Sequence, residues 1–134
     1  MENTELISSY ISILQSQNIC EESINKNIRY LNVFLNEYLL MYKKASIKDS
    51  SLHLFFFFSY YLPRKYFPLT KNLISDYINI LSKFYAFLFS KNIIDEEKFM
   101  KVQANFEENK EKFLQIPENY LNHLDKNFYL KRIL

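Results

Sequence analysis

The chain has 134 residues, 49% of them hydrophobic, with a net charge of +2 and a single cysteine. That suffices for one ordinary domain with a substantial core and excludes two comfortable ones or a disordered chain. Glycine is absent and proline occurs three times, which argues against all-β turns and phosphate-cradling loops and for an all-α fold.

Six segments carry helical periodicity. The first spans 3–17, with Leu6, Tyr10, Ile13 and Leu14 on one face and Asn18 as its stop. The opening MENTELISSY has no basic start and no long apolar run, so it does not read as a signal peptide. Cys20 cannot pair internally and fits a reducing, cytoplasmic setting. The second segment spans 22–42. Ile24, Ile28, Leu31, Phe34 or Leu35, Tyr38 and Met41 form its buried stripe, and Glu21 and Glu22 suit the dipole of its first turn.

The third segment, 49–62, contains LHLFFFFSYYLP. Asp49 or Ser50 is the expected cap, and Pro63 the expected end. About a dozen residues fall short of the roughly 20 that a bilayer-spanning helix needs, and the flanks are charged. An apolar run of this kind reads as the central helix of a bundle rather than a membrane segment. The fourth segment, 70–91, starts at Thr70 and presents Leu73, Tyr77, Ile80, Leu81, Phe84 and Leu88. The fifth, 95–114, is capped by Asp95 and has a narrow stripe of Phe99, Val102, Phe106 and Phe113. Pro117 then separates a sixth, 118–131, carrying Leu121, Leu124 and Phe128.

Charge is uneven. Residues 1–22 hold four acids and no Lys or Arg, whereas 23–71 hold eight bases and two acids. Those bases are Lys26, Arg29, Lys43, Lys44, Lys48, Arg64, Lys65 and Lys71. A helix presenting Lys26, Asn27 and Arg29 suits phosphates and adenine edges; the plainer reading is the solvent face of an amphipathic helix. Catalytic constellations are missing. His53 and His123 are far apart, no Gly-rich or Ser-centred motif occurs, and one cysteine with two histidines does not make a metal site. The chain is therefore expected to be no enzyme and to need no cofactor or metal.

The order of segments adds a resemblance. SINKNIRYLNVF, SIKDSSLHLFF and KFYAFLFSKNII follow the pattern of three successive helices in one family. There a helix opens Thr-x-x-x-Tyr-x-x-x-Leu-x-x-Phe, matched here by Ser23, Asn27, Leu31 and Phe34. Its fourth helix closes on an aromatic pair, a further aromatic-Leu and a Gly-x-Ile exit, matched by Phe84, Tyr85, Phe87, Leu88 and Asn92. Residues 5–95 thus resemble the N-terminal core-binding domain of phage integrases and tyrosine recombinases, a SAM-like bundle of four helices.

The resemblance implies a clamp half, from a mobile element or its relic, that grips duplex DNA through its second and fourth helices. By position it points to Lys26, Asn27 and Arg29, and to Lys71, Asn72 and Lys83. Lys43, Lys44, Arg64 and Lys65 complete the expected DNA-binding set from the basic stretch. Two departures stand out: Asp76 and Ser82 occupy positions where the family carries Arg. The family's catalytic domain is also missing. The expected architecture is a core-binding domain over 1–95 and a helical hairpin over 96–134, packing on the bundle or on a helical protein partner. The expected function is non-catalytic DNA binding, and the rival is a protein–protein adaptor that keeps the fold without the DNA.

Overall fold

The computed structural model describes the backbone of residues 2–133 and the side chains of residues 2–118. It is helical throughout, with no strand among the described residues. No helix there is long and apolar enough to cross a membrane.

Helix α1 spans Asn3–Ser16 and buries Leu6, Ile7, Tyr10, Ile11 and Leu14. It ends at Asn18, whose φ of 58° is left-handed. The Ile19 N–H then reaches back to the Leu14 carbonyl at 3.2 Å, a Schellman-type closure that Asn supplies in a chain without glycine. Helix α2, Glu21–Asn32, runs on into a π-helical stretch, Val33–Lys43. The core stripe of α2 is Ile24, Asn27 and Leu31, so Ile28 is displaced toward the surface. Along the π stretch, i→i+5 bonding puts more residues into each turn than the α spacing assumes. A position three past Tyr38 therefore does not return to the core. Met41, expected on the buried stripe, is 72% exposed.

Helix α3 is composite. A 3-10 segment, Ile47–His53, leads into an α turn, Leu54–Phe56, a π turn, Phe57–Tyr61, and a closing α turn, Leu62–Lys65. Its N-cap position is Ser46, not Asp49 or Ser50. Pro63 does not end it. The π turn shifts the hydrogen-bond register, so the missing proline N–H falls at the start of a new α turn, where no donor is required. The helix stops at Tyr66, which is extended.

The phenylalanine run lies centrally, as its composition predicts, but not on every side. Leu54, Phe57, Phe58 and Leu62 are fully buried, while Leu52 and Phe55 face outward. Phe57 packs edge-on against Phe34 at 4.9 Å and against Tyr77 at 5.5 Å. Its neighbour Phe58 stacks on Phe113 at 4.6 Å and meets Phe106 at 5.9 Å.

Helix α4, Lys71–Ser90, is capped by Thr70, whose hydroxyl accepts from the Leu73 N–H at 3.1 Å. The exit residue Asn92 is left-handed, as Asn18 is. Helix α5 spans Glu96–Ile133, and Asp95 caps it by accepting from the Lys98 N–H at 2.8 Å. The expected hairpin is absent, because α5 runs through Pro117 as one helix. Proline removes a single donor, and here Pro117 is buried while Glu118 beside it pairs with Lys71 of α4. The chain stays helical across the break signal. Val102, Phe106 and Phe113 belong to the same core as α1 to α4. The side chains of Leu121, His123, Leu124, Phe128 and Tyr129 lie outside the described residues.

Polar groups are wired into this core at few points. The Tyr38 hydroxyl donates to the His53 carbonyl at 2.7 Å. Ser50, fully buried, donates to the Ile47 carbonyl and shares a short hydrogen bond with the Tyr85 hydroxyl. Ser50→Ala is expected to cost about 1–3 kcal/mol, because it strands the Tyr85 phenol without a partner. Urea unfolding checks this, and adding Tyr85→Phe to the variant should recover part of the loss.

Candidate nucleic-acid interface

The ten residues expected to meet DNA divide into two groups. The first gathers where α2 faces α4. Lys26 and Lys83 line one groove of about 210 Å³ with Asn27, Asp76 and Asn79. Lys26 and Asp76 form an ion pair across it, Nζ to Oδ2 at 2.5 Å. Asp76 holds the Lys26 ammonium above its ordinary pKa by that hydrogen bond. Arg29 is exposed and close enough for its charge to act on Lys26.

Asn27 is a correction. It is only 8% exposed, and its amide donates to the Ser23 carbonyl at 2.9 Å. It sits on the core stripe with Ile24 and Leu31, at the floor of the groove, with its amide engaged in that local bond. Lys71 and Asn72 are exposed at the start of α4, and Lys71 pairs with Glu118 at 3.5 Å.

The second group lies where the end of α2's π stretch packs beside α3. Lys65 pairs with Glu37 at 2.7 Å, and that carboxylate holds the Lys65 ammonium above its ordinary value. Lys43 lies 3.6 Å above the Phe56 ring, and the Arg64 guanidinium lies 3.4 Å above Tyr60. Lys44 takes a left-handed φ of 54° at the turn and is exposed.

Tyrosines join the two groups, a feature the sequence reading missed. Tyr30 stacks on Tyr77 at 4.3 Å, with Lys26 over its ring. Tyr77 shares a hydrogen bond of 2.8 Å with Tyr66, and Lys65 lies over Tyr66. Tyr61 and Tyr42 continue the belt at 5.5 Å. Cations therefore border a run of packed rings that passes from α2 through α4 to α3, with Tyr77 fully buried within it. Among the described residues no group of three or more His, Cys, Asp or Glu could hold a metal. His53 contributes its backbone carbonyl to Tyr38.

No known family, curated protein or solved structure matches the chain.

Burial raises the phenol pKa of Tyr10, Tyr30, Tyr38, Tyr61, Tyr77 and Tyr85. Their protons stay on in the folded chain at pH values where the unfolded chain has lost them. Their stabilising effect is complete below about pH 10 and is lost as pH rises beyond it. A phenolate absorbance titration should show a late step that coincides with loss of helical circular dichroism. A single step near pH 10 with the helices intact contradicts this.

Proposed function

We propose that this chain is a non-catalytic DNA-binding module that grips duplex DNA as the N-terminal clamp domain of a tyrosine recombinase does. The observation that carries the reading is that Lys26 and Lys83 line one groove where α2 faces α4, with exposed Arg29 one turn along α2 from Lys26. Those are the two helices through which the resembled domain holds DNA. Lys26 and Lys83 lie far apart in the chain and share one groove. Phosphates are the anions that a row of such cations takes up, and the binding is then steeply salt-dependent.

Asp76 is the element that opposes the reading. Its carboxylate occupies Lys26, so the groove has one cation fewer to offer than the sequence promises. A module of this kind suits a weak or regulatory partner of a recombinase supplied separately. The second reading is a protein–protein adaptor, favoured by the exposed Leu40, Met41 and Leu52.

Fluorescence anisotropy with a labelled duplex, across a salt series, tests both. Arg29→Ala/Lys83→Ala is expected to flatten the slope of log K against log salt by roughly two. Asp76→Asn frees Lys26 and should steepen the slope by about one, with tighter binding at low salt. Parent and variants that bind alike put the contact elsewhere. No duplex binding even at low salt hands the protein to the adaptor reading.

A further inference from the structure

The end of the belt farthest from the α2–α4 groove has a different character. Phe56, Tyr60 and Arg64 stand at i, i+4 and i+8 on one face of α3. Phe56 and Tyr60 stack at 4.5 Å with 26° between their planes. The Arg64 guanidinium continues the pile 3.4 Å beyond Tyr60, steadied by Nη1 donating to the Tyr60 carbonyl at 3.0 Å. Lys43 lies over Phe56, and Tyr42, half exposed, stacks beside it at 6.3 Å with 19° between planes. The result is a short column: a pair of stacked rings with the Arg64 guanidinium over Tyr60 at one end and the Lys43 ammonium over Phe56 at the other.

Both faces of the inner rings are occupied. What the column offers to a ligand is its Arg64 end, because Tyr42 already packs on Phe56, Tyr38 and Tyr61; Lys43 and exposed Lys44 lie toward the other end. The complementary ligand carries flat rings and negative charge on the same chain. A duplex does not fit, because its base faces are covered by their neighbours. An unpaired strand does, since its bases can be laid on a guanidinium plane while phosphates meet the lysines. We propose that the Lys43–Phe56–Tyr60–Arg64 column is a stacking platform for single-stranded nucleic acid. The platform does not depend on the duplex reading and uses none of the residues of the α2–α4 groove.

Arg64→Lys tests it, because lysine keeps the charge and removes the plane. The probe is a labelled, purine-rich single strand of about 12 nucleotides, titrated into the full chain at low salt. The variant should bind it roughly tenfold more weakly, the loss of about one stacked base. Its urea midpoint should stay that of the parent, Arg64 being exposed. Arg29→Ala/Lys83→Ala, outside the column, should leave single-strand binding unchanged. A strand of abasic sites, with phosphates but no rings, should bind to the parent at least as poorly as the intact strand does to Arg64→Lys. The proposal is overturned if Arg64→Lys binds as the parent does, if the abasic strand binds as well as the intact one, or if the parent binds no single strand at all.

Discussion

Two adjacent side chains set the architecture. Phe57 and Phe58 are consecutive in one helix and so point to different sides of it, yet both are fully buried. Burying a phenylalanine is worth about 1.5–3 kcal/mol, and leaving two of them in water would consume much of a small domain's stability. Helix α3 therefore needs cover on two sides. The π stretch after α2 and the first half of α4 supply one cover, through Phe34, Tyr38 and Tyr77. Helix α5 supplies the other, through Phe106 and Phe113. The first turns of α5 are thus part of the same core as the four helices before it, and not an appendage to them.

A core this aromatic has a specificity problem, since flat rings pack acceptably in many ways. Phenol hydroxyls narrow the choice. Tyr38, Tyr77 and Tyr85 are buried, and each hydroxyl has one partner: the His53 carbonyl, Tyr66 and Ser50. Two of those partners lie in the 3-10 segment that opens α3. A register slip of α3 against α2 or α4 would leave these hydroxyls unpaired in an apolar setting, which costs more than a misplaced ring. The same bonds explain why a segment with no conventional cap at Asp49 or Ser50 is held in place.

Much of this was legible in the chain. Periodicity located α1, α2 and α4, and the caps at Thr70 and Asp95 and the stop at Asn18 are local chemistry that needs no tertiary partner. What failed were rules that context overrides. Pro63 and Pro117 are stop signals, but Pro63 falls at the first turn of a new α segment and α5 runs on through Pro117. Asn27 looked like a surface amide because asparagine usually is one. Its place three past Ile24 and four before Leu31 was the available sign of burial. The Lys26–Asp76 pair joins residues fifty positions apart, and no local pattern announces it. The column on α3 was different: Phe56, Tyr60 and Arg64 are evenly spaced in plain view, and reading the run as core concealed them.

The charge of the chain also changes meaning once folded. Summed along the sequence, residues 23–71 form a strongly basic stretch. In the fold Asp76 takes Lys26, Glu37 takes Lys65 and Glu118 takes Lys71. Two more of the bases, Lys43 and Arg64, lie on aromatic rings, where a quadrupole holds the cation without neutralising it. An ion pair cancels a charge toward a phosphate, whereas a cation on a ring keeps its charge and gains a fixed direction. The positive potential that survives pairing is therefore weighted toward the α2–α3 end of the belt, and there it comes with rings attached. On the proposed platform, such a surface would distinguish ligands by whether they bring a planar group to the cation, and not by their charge alone.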